Sequence, residues 1–296
     1  MRHLLTIAVY VVVAGGALHA KPRAVSLNVC TDQLLVDLAD REQILGVSTF
    51  ARDPNLSWVA ARAGPYTPVA AAEDVVSRAP DVVLAGVFNK IATRQVLAAS
   101  GLRVEVFALA NDFAGVREAI TRVGSLLQQE ERAARRIAAL DAALARLRQA
   151  ASTRALRILP LQRRGWVSGS DTLTSALLAE AGLVNIAAEL GLYAGGQVGL
   201  ERLIALQPDL ILGSREETYG EDQGSALLLH PALRARVPAE RWIYIPGRLT
   251  VCGGPGLIEA IDALIEQLVP FRGEAPLPRA EPDLNESGGI PKSGGK

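Results

Sequence analysis

Histidine is scarce in this chain, and its scarcity excludes a good deal. Only three occur in 296 residues, and His3 and His19 fall in a leading segment that stands apart. The one that remains, His230 in "LLHPAL", cannot supply the clustered imidazoles and carboxylates that hold bare zinc or manganese. It also leaves a Ser-His-Asp hydrolase with one candidate base. No GxSxG elbow accompanies it, so His230 reads as structural. "VCGGPG" is glycine-rich but lacks the Gly-Lys-Ser/Thr ending of a phosphate loop, and no GxGxxG turn follows the first strand-like run. Net charge is absent too: 31 basic residues balance 31 acidic ones. Nothing draws the whole molecule to nucleic acid or to an anionic membrane. The longest apolar run, "LLTIAVYVVVA" at residues 4–14, falls short of the roughly 20 residues that span a bilayer. Aromatics make up 4% and cysteines number two, so each position of either kind carries weight.

What is present divides the chain into five parts. Arg2 and His3 open a short positive start, an apolar run follows, and "GGALHA" ends in small residues. This is the pattern of a secretory signal peptide over 1–20, cleaved after about Ala20. Without a cysteine at the cut, a lipoprotein is disfavoured. The expectation is an exported protein in the periplasm, where thiols oxidise. Residues 273–296 are rich in proline, glycine and charge, and read as a disordered tail. The body carries an internal echo. "EDVVSRAPDVVLAG" starts at Glu73 and "ERLIALQPDLILGS" at Glu201. In each, a glutamate opens a short helix, a Pro-Asp turn closes it, and an apolar strand follows, with the same spacing from Glu73 to Asp81 as from Glu201 to Asp209. Proline stops the helix by disfavouring helical geometry in the residue before it. Strand-like runs alternate with helical ones on both sides of each copy, which implies βαβ units and parallel sheets. An N-terminal lobe at 21–111 and a C-terminal lobe at 152–272 follow. Between them, 112–151 has apolar residues at helical spacing, no proline, and a polar patch, "QQEER", at 128–132. It reads as a stiff helical connector.

Two βα lobes joined by a long helix behind a signal peptide resemble the periplasmic substrate-binding proteins of the vitamin B12 and ferric-siderophore ABC importers. "RAVSLNVCTDQLLVDLADREQILGVS" resembles that family's first strand and helix. The two Glu…Pro-Asp segments resemble its paired motifs, and "VSGSDTLTSALLAEAGLVNIA" resembles the start of its second lobe. The likeness extends to about Arg272. It implies an α/β fold of two Rossmann-like lobes, joined by a rigid helix, with the ligand cleft between them. It also implies a monomer without enzymatic activity, cofactor, directly bound metal or nucleic-acid partner. Such a protein captures a metal chelate (a corrinoid, a ferric siderophore or haem) and delivers it to an inner-membrane permease dimer with its ATPase. Glu73 and Glu201 match the family's outer-surface glutamates that pair with permease arginines; a first-turn helix acid is the plainer account of each, and the two are compatible. The alternatives are an exported hydrolase or chelatase, or a ligand sensor.

In open α/β sheets, ligands sit outside the carboxyl ends of the strands. The segments expected there hold Phe50, Tyr66, Trp166 and Tyr193, whose faces suit a large flat chelate. They also hold Arg52, Arg163, Arg164 and Arg248, whose guanidinium forks favour carboxylates or phosphates and tilt the expected ligand toward an anionic chelate. Packing on the local lobe, or facing water, is the ordinary alternative for each. Cys30 is expected just before a helix beginning near Thr31, and Cys252 just before "GGPG". Both junctions should point to the cleft. Three readings stay open: a disulfide pinning the lobes, contact with or ligation of the bound chelate, or two small buried residues.

Overall fold

The computed structural model describes residues 20–152, 154–214 and 224–271. The signal-peptide reading (apart from Ala20) and the tail at 273–296 lie outside these residues.

The first half forms a five-stranded parallel sheet. Its strands are β1 (Ala24–Ser26), β2 (Ile44–Ser48), β3 (Pro68–Val69), β4 (Val82–Gly86) and β5 (Val104–Phe107), in the order β3-β2-β1-β4-β5. β1 lies between β2 and β4, so the chain winds first to one side and then to the other. The connections carry α1 (Val29–Leu38), α2 (Ala72–Val76) and α3 (Ile91–Ala99). The second half repeats the plan. β6 (Arg157–Pro160), β8 (Val184–Asn185), β10 (Leu210–Gly213) and β11 (Trp242–Tyr244) form a parallel sheet in the order β11-β10-β6-β8. A small antiparallel pair, β7 (Trp166–Ser168) with β9 (Gly195–Gln197), lies beside it. Its helices are α6 (Leu173–Glu180), α7 (Leu200–Leu206), α8 (Pro231–Arg236), α9 (Gly247–Thr250) and α10 (Leu257–Leu268). Continuous apolar runs such as "VVLA" and "LIL" give strands buried on both faces, as parallel sheets require.

The internal echo has a structural cause. Asp81 and Asp209 perform the same task in the two halves. Asp81 accepts the backbone N–H of Arg23 at 2.7 Å and donates its own N–H to the Arg23 carbonyl at 2.9 Å. Asp209 does likewise with Arg157, at 2.8 Å both ways. Each therefore pins the incoming strand beside the first strand of its sheet. The residues before the two prolines, Ala79 and Gln207, share a left-handed backbone, with φ of 46° and 47°. The turn geometry is thus repeated along with the sequence.

The connector is two helices, α4 (Phe113–Leu126) and α5 (Glu130–Ala150). At 21 residues α5 is about 31 Å long. It is latched to both halves. Arg136 grips the buried Asp37 carboxylate of α1 with two bonds of 2.7 Å, and Arg132 caps the Leu38 carbonyl at 2.6 Å. At its other end Arg146 reaches Asp262 of α10 at 2.6 Å. One apolar core runs through α1, α4, α5, α6 and α10, including Leu35, Ile120, Leu144, Leu177 and Ile261. Continuous burial of this kind, rather than the exposed ion pairs, resists separation of the lobes. Among the described residues no helix is long and apolar enough to cross a membrane.

Candidate functional site

A cavity of about 440 Å³ opens where β1, β4 and β5 end, at the point where the strand order turns. Topology places a ligand site at such a switch point. Its floor is Leu27, Asn28 and the first turn of α1. One wall is the run 86–89 that leaves β4, and another is 107–110 leaving β5. Phe50 stands at the rim, and the second lobe contributes Val251 and Gly253.

The polar groups of the floor are already engaged. The Asn28 side-chain oxygen Oδ1 caps α1 by accepting the N–H groups of Cys30 (3.0 Å) and Thr31 (3.2 Å). Its amide donates to Asn89 at 3.2 Å. Asn89 in turn accepts the Gly86 N–H at 2.7 Å and donates to the Leu27 carbonyl at 3.0 Å. This lattice ties the ends of β1 and β4 together and leaves an apolar lining. Among the described residues that line it, none is charged. Phe88 is the most open of them, at 82% exposure, and Phe50, Leu109 and Val251 are also largely uncovered.

Cys30 and Cys252 are joined by a disulfide across the lobe boundary, beside the cavity. Neither sulfur is a free thiolate that could ligate a metal. The capping by Asn28 starts α1 at Val29, two residues before the expected Thr31, so Cys30 lies inside its first turn. The glycines after Cys252 serve close approach. A Cβ on Gly253 would stand 2.6 Å from the Ala110 Cβ, and one on Gly256 would stand 2.9 Å from the Trp58 ring. Beyond it the Trp58 indole N–H donates to Glu259 of α10 at 2.6 Å. The glycine-rich run is therefore the seam along which the second lobe seats on the first.

Of the ten residues expected to face the ligand, Cys30 and Phe50 line the cavity, and Cys252 adjoins it between Val251 and Gly253. The other seven do not line it. Arg52 is exposed, and its Nη2 donates to the carbonyls of Gly64 (2.9 Å) and Tyr66 (2.6 Å), bracing its own loop. Tyr66 packs on the main core. Arg163 is half-buried in a turn, and Arg164 is exposed there with a left-handed φ of 58°. Trp166 lies on β7 opposite Gln197, and Tyr193 is exposed just before β9, so both belong to the small two-stranded ribbon. Arg248 is half-buried in α9, without a hydrogen-bond or ion-pair partner among the described residues. Glu73 and Glu201 are exposed in the first turns of α2 and α7, at equivalent places in the two halves. His230 caps α8, its Nδ1 accepting the Ala232 N–H at 3.2 Å.

Phe88, Asn89, Phe107 and Leu109 were missed. A signal for them existed, since Phe88 and Asn89 follow β4, Phe107 ends β5 and Leu109 follows it, where the strand-end rule applies as it does to Phe50. Aromatic and leucine residues inside apolar runs look like core until the exit angle of the strand is known.

Comparison with known proteins agrees with this architecture. The sequence model of a family described as "Periplasmic binding protein" matches residues 25–239. A cobalamin-binding protein of Halobacterium salinarum is 29% identical over 197 residues, which is 64% of this chain and 53% of that protein. The chain thus spans about half the length of the curated relatives it matches. Among solved structures, the apo periplasmic heme-binding protein of Roseiflexus sp. RS-1 superposes with a TM-score of 0.67 at 24% identity, covering 84% of this chain and 98% of that one. A periplasmic heme-binding protein of Pseudomonas aeruginosa gives 0.70 at 22%, covering 88% and 96%. At these identities the structural likeness speaks to the fold.

Proposed function

This chain belongs to the periplasmic binding protein family, and from that premise we propose that it captures a metal chelate, most favourably a corrinoid, and hands it to the inner-membrane permease of an ABC importer. The observation that carries the reading is the apolar, uncharged cavity at the strand ends of the first lobe, rimmed by Phe50, Phe88 and Leu109. Its volume falls in the range of small-molecule sites, which are mainly apolar and aromatic. A flat macrocycle meets such a wall with its ring or its methyl-bearing edge. A haem or an acidic siderophore would bring carboxylates that this wall does not pair, and burying them unpaired is costly. Corrinoid side chains are largely neutral amides, which suits the lining better. The name of the Halobacterium relative supports the same class.

Capture needs no chemistry from the protein. The disulfide, the shared core and the Trp58–Glu259 bond hold the lobes together, so the ligand enters a cleft that is largely preformed. That limits the ordering cost of binding. Glu73 and Glu201 then offer one exposed carboxylate on each lobe for charge-assisted bonds to a two-fold permease. The setting for this exchange is the periplasm.

Titration calorimetry of the full chain with cyanocobalamin, haem and a ferric hydroxamate siderophore tests the reading. The expected result is saturable one-to-one binding of cyanocobalamin, weakened about tenfold or more by Phe88→Ala through lost apolar burial. Folded protein that ignores cyanocobalamin, or that binds haem far more tightly, overturns it.

A further inference from the structure

We propose that Asp32 is a positioning residue for the cavity, fixing through the Ser48 hydroxyl the turn that presents Phe50 to the ligand. The proposal rests on the reading of this cavity as the ligand site.

Asp32 lies in the first turn of α1, directly after the cavity-lining Thr31, and is completely buried. A carboxylate in such a place is costly unless something needs its two acceptor oxygens. Both accept from Ser48. Oδ1 accepts the Ser48 N–H at 2.9 Å, and Oδ2 accepts the Ser48 hydroxyl. Having donated its proton, that hydroxyl accepts the N–H of Phe50 at 3.2 Å, which caps the 3-10 turn at 49–52. The polarity of this chain is fixed. An ionised carboxylate can only accept, so it holds the Ser48 proton toward itself; a protonated acid draws that proton less strongly and can itself donate to Oγ, so the orientation that caps Phe50 is no longer enforced. Phe50 itself makes its contact with the cavity from the far end of the relay.

Among the described residues no charged side chain intervenes. On α1, Asp37 is taken by Arg136 and Arg62. The strands packed on α1 (β1, β2 and β4) carry no titratable residue. The turn carries the exposed Arg52, whose Nη2 donates to two carbonyls, and α4 carries Arg117 and Arg122, paired with Asp141 and Glu105, and the exposed Glu118. Burial pushes the Asp32 carboxyl up to about 6, against the opposing bonds from Ser48 and Ser26. Acidification then has two effects of opposite sign. It relieves the burial of charge and steadies the fold, while it loosens the Phe50 turn and weakens the cavity. A carboxylate that merely supported the fold would move both quantities the same way.

The test uses the full chain in two arms. In the ligand-free protein, the amide resonances of Ser48 and Phe50 are followed by NMR between about pH 4.5 and pH 8. They should titrate together in the wild type and stay still in Asp32→Asn. In the second arm, cyanocobalamin affinity is measured at both ends of that range. The wild type should bind about fivefold more weakly at the acid end, the worth of roughly one hydrogen bond. Asp32→Asn and Ser48→Ala should bind weakly without pH dependence, and neither should weaken Phe50→Ala further. A Phe50 amide that ignores pH while Ser48 titrates, or an Asp32→Asn penalty that persists in full on the Phe50→Ala background, overturns the proposal. Failure of the wild type to bind cyanocobalamin at any pH refutes the ligand assignment instead, and the amide titration then decides the positioning role alone.

Discussion

Breaking the Cys30–Cys252 bond is the perturbation whose size follows most directly from this structure. The bond closes a loop of 222 residues, nearly the whole described chain. In the chain-entropy account, a cross-link stabilises by restricting the unfolded ensemble, and the restriction grows with the logarithm of loop length. For this loop the relation gives about 5 kcal/mol at 25 °C. Residual structure in the unfolded chain reduces that figure, so a loss of about 3–5 kcal/mol is expected. The native side of the balance should change little. The two lobes keep their shared core, the Trp58–Glu259 bond and the Arg146–Asp262 pair when the sulfurs part. Guanidinium unfolding should be compared for oxidised protein, protein reduced with dithiothreitol, and a Cys30→Ala, Cys252→Ala double variant. The midpoint should fall, and the denaturant slope should rise because the open unfolded chain exposes more surface. Reduced protein and double variant should agree to within the small packing change at buried Cys252. A loss under about 1 kcal/mol with an unchanged slope would refute the reasoning, because the tether would then be constraining nothing that the unfolded chain would otherwise explore.

Three further outcomes are expected. The Asp32 carboxyl titrates in the native state near 6, above its ordinary value of 3.8. The native protein therefore holds more protons than the unfolded chain between those values. The stability this group allows is full below about pH 4 and is lost, to about 3 kcal/mol, as the pH rises through 6; Asp32→Asn should flatten this slope in melts taken from pH 4 to 7. Gly253→Ala drives a methyl to within 2.6 Å of the Ala110 side chain and toward Val116 and Leu173. Overpacking at this seam should cost about 1–3 kcal/mol in unfolding free energy and weaken cyanocobalamin binding by displacing Val251. Glu73→Ala combined with Glu201→Ala should leave the affinity of the purified protein for cyanocobalamin within about twofold while abolishing uptake in cells, since both carboxylates lie outside the cavity; sustained uptake would end their docking role.

Much of the fold was legible because its signals are local. The strands at 24–26, 44–48, 82–86 and 210–213 coincide with short β-branched and leucine-rich runs. The break between α4 and α5 falls at 127–129, against the polar patch expected at 128–132. The Pro-Asp echo was visible as a spacing, and the matched bonds from Asp81 to Arg23 and from Asp209 to Arg157 are its physical content.

The site was less legible, because exposure and partnership are properties of the assembled chain. Arg52 has the composition of a ligand-binding arginine, and only the approach of the 64–66 carbonyls shows that its Nη2 braces its own loop. Phe88 has the composition of core, and only the exit of the chain from β4 leaves it open to solvent at the cavity. The two cysteines were ambiguous among three roles, because the separation of their sulfurs depends on how one lobe seats against the other. By itself the sequence determined the alternation of elements, the two-lobe repeat and the candidate docking glutamates, all set by residue preferences over a few positions. The tertiary structure alone decided the disulfide, the uncharged wall of the cavity and the buried Asp32–Ser48–Phe50 relay. Each of those joins groups far apart in the chain, and their meeting is fixed by packing rather than by local propensity.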